Sequence, residues 1–485
     1  MTVLPASAPG VDELLAALPD QVRRAGQMTL DSRWIEPGDV FVALPGLEHD
    51  GRDFISGALD KGAAAVFAEA DGYSGTDERV VAVPGLDDLL PGLVKGFYDD
   101  PSQSMQLAAV TGTNGKTSVV ELTAQLLRLL GERAGCIGTL GARLDYPPAA
   151  VTNTTPDLIS ITRQLAAWRQ QDVRHVAMEA SSHALDQGRL RGLSLHTAVF
   201  TNLTRDHLDY HVSERAYADA KLSLFSNFEL RRAVFNADDP IACEVADIVG
   251  DSAIGISMED GRGDVRIALR SQRPMVIDIE SPWGSAVLEI PLSGRFNAFN
   301  VTAAIVTAVG LGFDFDRSCA AVGELLPVAG RMERSMTPEG VLVVVDYAHT
   351  PDALENALAA LQPETAGLLW VVFGCGGDRD PGKRSLMGGA AERWADRVVV
   401  TSDNPRGESP EAIIDDIVQG CQTRVEMEPD RAAAIRYALG AARAGDTLLI
   451  AGKGHEDYQE VKGQRLPFSD RQVVEELLAA SEVAV

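Results

Sequence analysis

The 485-residue sequence predicts an α/β protein of three domains, with a parallel central sheet and a doubly wound C-terminal domain. Strand-like apolar runs alternate with helix-like segments along almost the whole chain, which is the pattern of α/β domains with largely parallel sheets. At roughly 150 residues per domain, the length allows about three domains that each bury a core. A glycine-rich loop between a strand and a helix, TGTNGKTS, is the third observation, and it marks the beginning of the central sheet.

Two turn-rich connections predict where the domains meet. Strand candidates at residues 39–44 and 63–67 are followed by the polar stretch YDDPSQS, which ends an N-terminal domain near residue 100. The connection GRMERSMTPEG places the next boundary near residue 330. We therefore expect domains at residues 1–100, 101–329 and 330–485.

The last third of the sequence predicts a Rossmann-like domain. Four very apolar strand candidates, VLVVVD, LLWVVFG, RVVVTSD and TLLIAG, alternate there with helical segments, which is typical of a doubly wound sheet. The segment GCGGDRD lies among them. Arg379 stands where the GxGxxG pattern requires its last glycine, so we predict no dinucleotide site.

The charge balance argues against two classes of partner. Forty-three basic residues against 70 acidic ones leave a net charge of −27. Such a charge repels nucleic acid phosphates and anionic membrane surfaces. Any bound anion must therefore be met by local basic residues or by backbone amides.

Cysteine usage and the N-terminal sequence favour a cytoplasmic protein. The five cysteines stand singly without a CxxC pair, as expected of reduced thiols. The start, MTVLPASAPGVDELL, lacks the basic and then apolar regions of a signal peptide. No uninterrupted apolar stretch of about 18 residues is present, so we predict no membrane insertion. We also expect the protein to be a monomer.

The glycine-rich loop predicts a phosphate-binding site. Glycines allow backbone N–H groups to face phosphates, and the N-terminus of the following helix adds partial positive charge. Lys116 would neutralise the β and γ phosphates, and the hydroxyl of Thr117 would ligate magnesium. Val110 stands where the usual GxxxxGK pattern has its first glycine, which leaves an ordinary turn as the alternative. The position between a buried strand and a helix favours the nucleotide site.

Polar side chains follow two further strand patterns. The strand pattern VRHVAM is followed by one cluster, and FTNLTRDHLDYH contains another. In open α/β sheets, ligands bind at the carboxyl ends of the strands. Either cluster alone is equally consistent with a solvated polar loop, but two after successive strands favour a site. The clusters consist of Glu179, Ser181, His183, Gln187 and Arg189, and of Asn202, Asp206 and His207.

A helix candidate, SERAYADAKLSLF, carries a lysine on its apolar face. Tyr217, Lys221, Leu224 and Phe225 share this face by three- and four-residue spacing. An isolated buried ammonium is costly, so the alternative is that the side chain extends to bring its amine into water.

Taken together, these segments resemble the Mur ligase family, and the likeness extends over nearly the whole chain. The matching segments, in chain order, are TGTNGKTS, NTTP, MEASSH, NLTRDHLDYH, AKLSLF, NADDP, GRFNAFN, GRMER, VDYAHTP and AGKGHE. DNPR at residues 403–406 and LDSR at residues 30–33 most resemble the members that add a diamino acid to a UDP-linked muramoyl dipeptide. The resemblance implies a UDP-binding N-terminal domain, a central ATP-binding ligase domain and a Rossmann-like domain that binds the amino acid.

The resemblance also implies roles for individual residues. ATP would be bound by Gly112, Thr113, Asn114, Gly115, Lys116, Thr117, Ser118, Asn300, Arg331 and Asp346. The UDP-linked dipeptide would be bound by Leu30, Ser32, Asn153, Thr154, Thr155, Ser181, Gln187 and Arg189, and the loop near His49 would also serve UDP. The amino acid would be bound by Arg379, Asp403, Asn404, Pro405, Arg406, Gly452 and Glu456.

Four residues match the magnesium site of the family. Thr117, Glu179, His207 and Lys221 would arrange Mg²⁺, with Lys221 carrying a carbamate. CO₂ adds to a neutral amine and converts a cation into an oxygen ligand suited to a hard metal ion. Lys116, Lys221 and His207 would be the catalytic residues.

The implied reaction joins a carboxylate to an amine at the expense of ATP, through an acyl phosphate. A folylpolyglutamate synthase or a neighbouring Mur ligase is an alternative that uses the same fold, but DNPR, DYAHTP and the N-terminal domain argue against both. A kinase would release ADP without an amine. A nucleotide-binding module without activity would not need polar clusters after several strands.

The charge and position of Arg406 predict that the diamino acid is meso-diaminopimelate. Diaminopimelate carries a far-end carboxylate that lysine lacks, and a guanidinium can bind a carboxylate with two hydrogen bonds. Arg406 follows the strand RVVVT, while Asn404 and Glu408 would contact the far-end ammonium and Arg379 would be a second anchor. Pairing of Arg406 with Glu408 on a solvated loop is the alternative, and lysine or ornithine remain alternative substrates.

Overall fold

The computed structural model describes residues 10–46, 49–144, 153–259 and 262–483. Its strands are β1 (Met28–Thr29), β2 (Val40–Ala43), β3 (Ala65–Glu69), β4 (Val80–Val83), β5 (Gln106–Thr111), β6 (Ala134–Gly138), β7 (Gly141–Arg143), β8 (His175–Glu179), β9 (Thr197–Phe200), β10 (Arg232–Asn236), β11 (Ala253–Ser257), β12 (Val265–Gln272), β13 (Met275–Ser281), β14 (Gly284–Ile290), β15 (Glu333–Met336), β16 (Leu342–Asp346), β17 (Leu369–Phe373), β18 (Arg397–Thr401), β19 (Glu426–Glu428), β20 (Thr447–Ala451), β21 (Tyr458–Val461) and β22 (Gln464–Pro467).

The α-helices are α1 (Val11–Ala17), α2 (Asp20–Ala25), α3 (Ile55–Asp60), α4 (Leu86–Tyr98), α5 (Lys116–Leu129), α6 (Leu158–Arg169), α7 (Ser182–Asp186), α8 (Leu208–His211), α9 (Glu214–Ser226), α10 (Ala242–Val249), α11 (Phe296–Gly310), α12 (Phe315–Ala320), α13 (Pro351–Leu361), α14 (Gly382–Trp394), α15 (Pro410–Val418), α16 (Arg431–Ala441) and α17 (Asp470–Val483). Short 3-10 helices occupy Ser32–Trp34, Gly51–Phe54, Pro101–Ser104, Gly250–Ser252, Ala321–Glu324 and Gln362–Glu364. The predicted mixed α/β class is confirmed.

The chain forms two compact units. The first contains Met1–Ala109, Glu132–His196 and Asn227–Glu229, and the second contains Val110–Gly131, Thr197–Ser226 and Leu230–Val485. The predicted domain boundaries at residues 100 and 330 describe a different division of the chain and stay a prediction.

The first unit contains a small parallel sheet. Its strands follow the order β1-β2-β3-β4, and each pairs in parallel with the next. Apolar residues such as Phe41, Val66 and Ile55 form a buried cluster on this sheet. In the same unit, β8 pairs in parallel with β6. Glu179 is the last residue of β8 and therefore lies at the carboxyl end of this strand.

The second unit begins with the glycine-rich loop and α5. Ten of the fourteen residues of α5 are buried, so this helix is packed on nearly all sides. Gly131 follows it with φ +97°, as expected of a glycine just past a helix end. Strands β9 to β12 pair in parallel, and β12, β13 and β14 continue as an antiparallel meander.

The last third of the chain has the predicted doubly wound sheet. Its strand order is β15-β16-β20-β17-β18-β19, parallel throughout except for the β15–β16 pair. Helices α13, α14 and α15 pack against the sheet and form one apolar cluster with it, to which they contribute Leu358, Met387 and Ile417. Helices α16 and α17 pack a second cluster through Ile435 and Val474.

No helix in the described ranges combines the length and the apolar character that a membrane crossing requires.

Candidate functional site

The glycine-rich loop, residues 112–115, connects β5 to α5 in a conformation that depends on two glycines. Gly112 and Gly115 have φ values of +145° and +86°, which residues other than glycine rarely adopt. A Cβ atom on Gly112 would collide with the hydroxyl of Thr201. A Cβ atom on Gly115 would lie 2.9 Å from Oδ1 of Asn300. The glycines therefore permit both the turn and its close contact with neighbouring elements.

Asn114 fixes the tip of this loop. Its backbone N–H donates to Oδ1 of Asn202 at 2.9 Å, and its carbonyl accepts from Thr201 Oγ1 at 2.6 Å. Its side chain donates to Asp352 at 3.0 Å. Asn202, which the sequence placed in a polar cluster after a strand, thus supports the loop.

Lys116 is the first residue of α5 and bends back over the loop. Its Nζ donates to the carbonyl oxygens of Gly112 and Thr113, both at 2.9 Å. The amine is therefore held beside the loop backbone, where the resemblance expects the phosphates of ATP.

Lys221 is fully buried on α9. Its side chain is 1% exposed, its Nζ donates to the carbonyl oxygen of Gly112 at 2.7 Å, and the amine lies 4.2 Å from the ring centre of Tyr217. Burial, together with the nearby charge of Lys116, lowers the pKa of Lys221 well below its ordinary value. The alternative in which Lys221 extends into water is therefore wrong.

Thr117 and Arg331 meet at the beginning of α5. Arg331 Nη2 donates to the Thr117 hydroxyl at 2.9 Å, and its guanidinium stacks 4.3 Å from the ring centre of Tyr347. Asp346 is buried and accepts the backbone N–H groups of Met332 and Ala348 at 2.7 and 2.8 Å. Burial raises the pKa of Asp346, although Arg331 opposes that effect. Asp346 thus braces the segment that carries Arg331.

His207 lies at the start of α8 beside a buried carboxylate. Its Nε2 is 3.3 Å from Oδ2 of Asp206, which is also 3.7 Å from His349 Nε2. Lys383 Nζ lies 3.6 Å from the other oxygen. Burial alone would raise the pKa of Asp206, but His349 and Lys383 lower it well below its ordinary value. Asp206 is therefore an anion with Lys383 and the imidazole rings of His207 and His349 around it.

The residues expected to bind the dipeptide lie together in the first unit, around the end of β8. Thr155 Oγ1 donates to the carbonyl of Glu179 at 2.8 Å and accepts from Ser181 N at 3.1 Å. Arg189 donates to the Thr155 carbonyl at 2.8 Å and to Gln187 Oε1 at 2.6 Å. Thr154 accepts from Thr139, whose N–H also donates to Glu179 Oε1 at 2.7 Å, and Asn153 adjoins this cluster in the chain.

The residues expected to bind UDP lie after β1. Ser32 begins a 3-10 helix, and its carbonyl accepts from Lys61 Nζ at 3.0 Å. Leu30 immediately precedes Asp31, whose side chain caps that helix. In the loop further along the chain, His49 meets the ring of Phe54 edge-on at 6.4 Å. Residues 47 and 48 of that loop lie outside the described residues.

Three of the residues expected to bind the amino acid surround a buried lysine that the sequence did not single out. Lys453 Nζ is fully buried and lies 3.3, 3.0 and 3.1 Å from Asp403, Asn404 and Glu456. Asn404 also donates to Glu456 at 2.9 Å. Burial would raise the pKa of Asp403, but Lys453 and Arg431 lower it. Gly452, with φ +116°, connects β20 to Lys453.

Arg406 and Pro405 follow in the same loop. Arg406 Nη1 donates to the Gly377 carbonyl at 2.8 Å and its Nε donates to Glu460 at 3.1 Å. Glu408 is bound instead by Arg384, at 2.7 Å. The alternative in which Arg406 pairs with Glu408 is therefore wrong, and Glu408 is already engaged rather than directed at an incoming ammonium. Nothing in the local spacing identified Glu460, which lies 54 residues further along the chain.

Arg379 lies near Arg406. A Cβ atom on Gly376 would be 2.8 Å from Arg406 Nη1 and 3.7 Å from Arg379 Cγ. The guanidinium of Arg379 is half-exposed, with Nη1 3.7 Å from Asp209. The two arginines therefore flank one glycine, as expected of two anchors for one small ligand.

The surroundings of Lys221 bear on the predicted magnesium ligands. Across the described ranges, no group of three or more His, Cys, Asp or Glu side chains is arranged to hold a metal. The predicted set depends instead on the hydroxyl of Thr117 and on a carbamate at Lys221, with His207 and Glu179. Burial lowers the pKa of Lys221 and so favours the neutral amine, which is the form that reacts with CO₂, and the carbamate stays a prediction.

Three family models match the chain in succession. Residues 25–98 match the Mur ligase family catalytic domain, residues 110–308 the Mur ligase middle domain, and residues 330–454 the Mur ligase glutamate ligase domain.

Similar proteins and a similar structure extend over nearly the whole chain. The chain is 47% identical over 465 residues to UDP-N-acetylmuramoyl-L-alanyl-D-glutamate--2,6-diaminopimelate ligase of Pseudomonas aeruginosa, covering 94% of this chain and 96% of the relative. It is 46% identical to the protein of the same name from Chromobacterium violaceum, covering 93% of each. A solved structure of that name is 38% identical, with a TM-score of 0.65, and covers 94% of this chain and 95% of its own.

Proposed function

The chain belongs to the Mur ligase family, and from this premise we propose that it adds meso-diaminopimelate to UDP-N-acetylmuramoyl-L-alanyl-D-glutamate in peptidoglycan biosynthesis. It is an ATP-dependent ligase that forms an amide and releases ADP and phosphate. The observation that carries the proposal is the convergence of Lys116 and Lys221 on the glycine-rich loop and of Arg331 on the start of the helix that follows it. The names of the relatives support the substrate.

The first half of the reaction is phosphoryl transfer. An oxygen of the D-glutamyl side-chain carboxylate attacks the γ-phosphorus of ATP, the bond to the β–γ bridging oxygen breaks, and ADP leaves. Lys116 offsets charge on the transferring group, and Arg331 reaches the same helix N-terminus. Asp346 holds the segment that carries Arg331 in place, and Asn300 lies beside Gly115 of the loop.

The second half is amide formation. The amino nitrogen of diaminopimelate attacks the carbonyl carbon of the acyl phosphate, phosphate leaves, and the nitrogen loses a proton. Arg406, Arg379, Asn404 and Glu456 position the amino acid, which makes the encounter effectively intramolecular. Exclusion of water protects the acyl phosphate from hydrolysis.

Thr117, Glu179, His207 and Lys221 as a carbamate would hold Mg²⁺, which supplies charge neutralisation at the phosphates when bound. The carbamate forms when the neutral Nζ adds to the carbon of CO₂ and releases one proton. The buried amine of Lys221 with its lowered pKa supports this modification.

We also propose that the protein is a cytoplasmic monomer. The cysteines are free thiols in the described part of the chain, as expected in a reducing compartment. The molar mass of the purified protein, measured by light scattering, tests whether it is a monomer.

The decisive experiment measures ADP and phosphate release with UDP-N-acetylmuramoyl-L-alanyl-D-glutamate and one amine at a time. We expect release to require both the dipeptide and diaminopimelate, with lysine and ornithine far poorer. Release with lysine or ornithine in preference would replace diaminopimelate while leaving the ligase reaction. Release with a folate substrate would favour the folylpolyglutamate synthase alternative.

A further inference from the structure

We propose that Glu460 is a positioning residue for Arg406, and that it determines which edge of the guanidinium receives the far-end carboxylate of the amino acid. This inference rests on the proposed function. Glu460 lies on β21, in the β21–β22 hairpin, outside every segment that carried the family resemblance.

Two acceptors occupy defined positions on the Arg406 guanidinium. Nε donates to Glu460 Oε2 at 3.1 Å, and Nη1 donates to the Gly377 carbonyl at 2.8 Å. A carboxylate can approach a guanidinium side-on, through Nε and Nη2, or end-on, through Nη1 and Nη2. Because Glu460 already takes Nε, the side-on edge is closed to a ligand. Gly377 takes one of the two hydrogens of Nη1, so the other Nη1 hydrogen and those of Nη2 are left for a ligand on the end-on edge. Within the described ranges, Nη2 makes no protein hydrogen bond.

The backbone keeps this arrangement in register. Arg406 has φ +50°, its N–H donates to the Glu460 carbonyl at 2.9 Å, and its own carbonyl accepts from Lys462 N at 2.7 Å. Glu460 N donates to Oδ1 of Asn404 at 2.9 Å, which turns the Asn404 amide nitrogen toward Glu456. One residue of the hairpin therefore holds two of the residues expected to bind the amino acid.

The end-on edge includes Nη1, the Arg406 atom that lies near the side chain of the second anchor, Arg379. Nη1 of Arg406 and Cγ of Arg379 lie 2.8 and 3.7 Å from the point where a Cβ atom on Gly376 would stand. A side-on carboxylate would have to displace Glu460. The direction set by Glu460 thus presents the two arginines to the same ligand.

Direct contact between Glu460 and the far-end ammonium is the competing role, and two substrate analogues separate it from positioning. 2-Aminopimelate keeps the reacting amine and the far-end carboxylate but lacks the far-end ammonium. Lysine keeps the ammonium and lacks the carboxylate. A positioning residue should matter for every substrate with the carboxylate, whereas a direct contact should matter only where the ammonium is present.

The experiment measures kcat and KM for diaminopimelate, 2-aminopimelate and lysine with the wild type, Glu460→Ala and Glu460→Gln. Glu426→Ala, at an exposed glutamate on β19 of the same domain, is the control. We expect Glu460→Ala to raise KM about tenfold for both carboxylate-bearing substrates, the size of one charge-assisted hydrogen bond. KM for ATP, kcat and the rate with lysine should stay near wild type. Glu460→Gln should recover most of the loss, because its amide oxygen still accepts from Nε.

Three results would overturn the inference. A loss confined to diaminopimelate would assign Glu460 to the ammonium. Equal losses for all three amino acids, or a raised KM for ATP, would reduce its role to stability of the fold. Unchanged kinetics would remove any role. Absence of turnover by the wild type with diaminopimelate would instead reject the proposed function, and this inference with it.

Discussion

Lys116 and Lys221 donate to the same acceptor, the carbonyl oxygen of Gly112, from α5 and α9 at 2.9 and 2.7 Å. Two ammonium groups converging on one oxygen repel each other, and Lys221 is the more buried of the two. The arrangement therefore favours a neutral amine at Lys221 and a cation at Lys116. It supports the proposal that Lys116 neutralises phosphate and that Lys221 is available for carbamate formation.

Lys116→Ala should abolish amine-dependent ADP release while leaving the fold intact. A cation beside the transferring phosphoryl group acts on charge that develops during transfer, and we expect kcat to fall by roughly 10²- to 10³-fold or more. Steady-state ADP release checks the rate, and circular dichroism checks the fold. Lys95→Ala, at a partly exposed lysine paired with Asp100, is the control. Near-normal turnover by Lys116→Ala would remove the phosphate-loop assignment.

Lys221→Ala should be nearly inactive, because it removes the oxygen ligand expected from a carbamate. Short carboxylic acids should partly restore activity by placing a carboxylate in the vacated volume. Incubation of the wild type with ¹³C-labelled CO₂ should give a carbamate signal by NMR that Lys221→Ala lacks. The same carbamate signal in both proteins, or full activity of the variant, would contradict the modification.

Arg406→Ala should lose the preference for diaminopimelate over lysine. An arginine directed at a carboxylate is left without its ligand partner when lysine binds, so wild-type discrimination should approach roughly 10⁴-fold. The check is kcat/KM for diaminopimelate, lysine and ornithine with both proteins. Arg436→Ala, at an exposed residue of α16, should leave selectivity unchanged. Selectivity that survives Arg406→Ala would assign discrimination to other residues.

Glu408→Gln should destabilise the protein by about 1 kcal/mol at neutral pH, because Arg384 is buried and loses a charged partner. The hydrogen bond from Arg384 lowers the pKa of Glu408 below its ordinary value of 4.5. A lowered folded-state pKa contributes stability above the unfolded-state pKa, and this contribution is lost as the pH falls through the folded-state value.

Denaturant unfolding at pH 7 and at pH 3.5 tests whether the stability contributed by Glu408 falls with the pH. The difference between the wild type and Glu408→Gln should shrink at the lower pH. Glu411→Gln, at an exposed glutamate whose carboxylate accepts from Ser409, is the comparison. A difference that grows toward acid would contradict the pairing.

The sequence predicted the strands and the loop well because local patterns determine them. The four apolar runs of the last third became β16, β17, β18 and β20, and the lysine-bearing helix became α9 with Lys221 on its buried face. The polar clusters that follow strands were found from the same local patterns, and their role in ligand binding stays a prediction.

Partnerships between distant segments escaped prediction. Glu460 joins Arg406 only because the hairpin returns to the DNPR loop, and Lys453 becomes central only once β20 and β18 are neighbours of β17. Lys383 and His349 likewise come to Asp206 from separate elements. Sequence spacing carries no signal for such contacts, because they depend on the order of strands in the sheet.

The segment from Arg205 to Asp209 carries His207 and is ion-paired with the Rossmann-like part of the chain at Asp380, Lys383 and Arg379. An amino acid that draws Arg379 away from Asp209 therefore changes the surroundings of a residue expected to hold magnesium. Thermodynamic linkage makes such an influence mutual and equal in size. If diaminopimelate changes the affinity for magnesium nucleotide by some factor, magnesium nucleotide must change the affinity for diaminopimelate by the same factor.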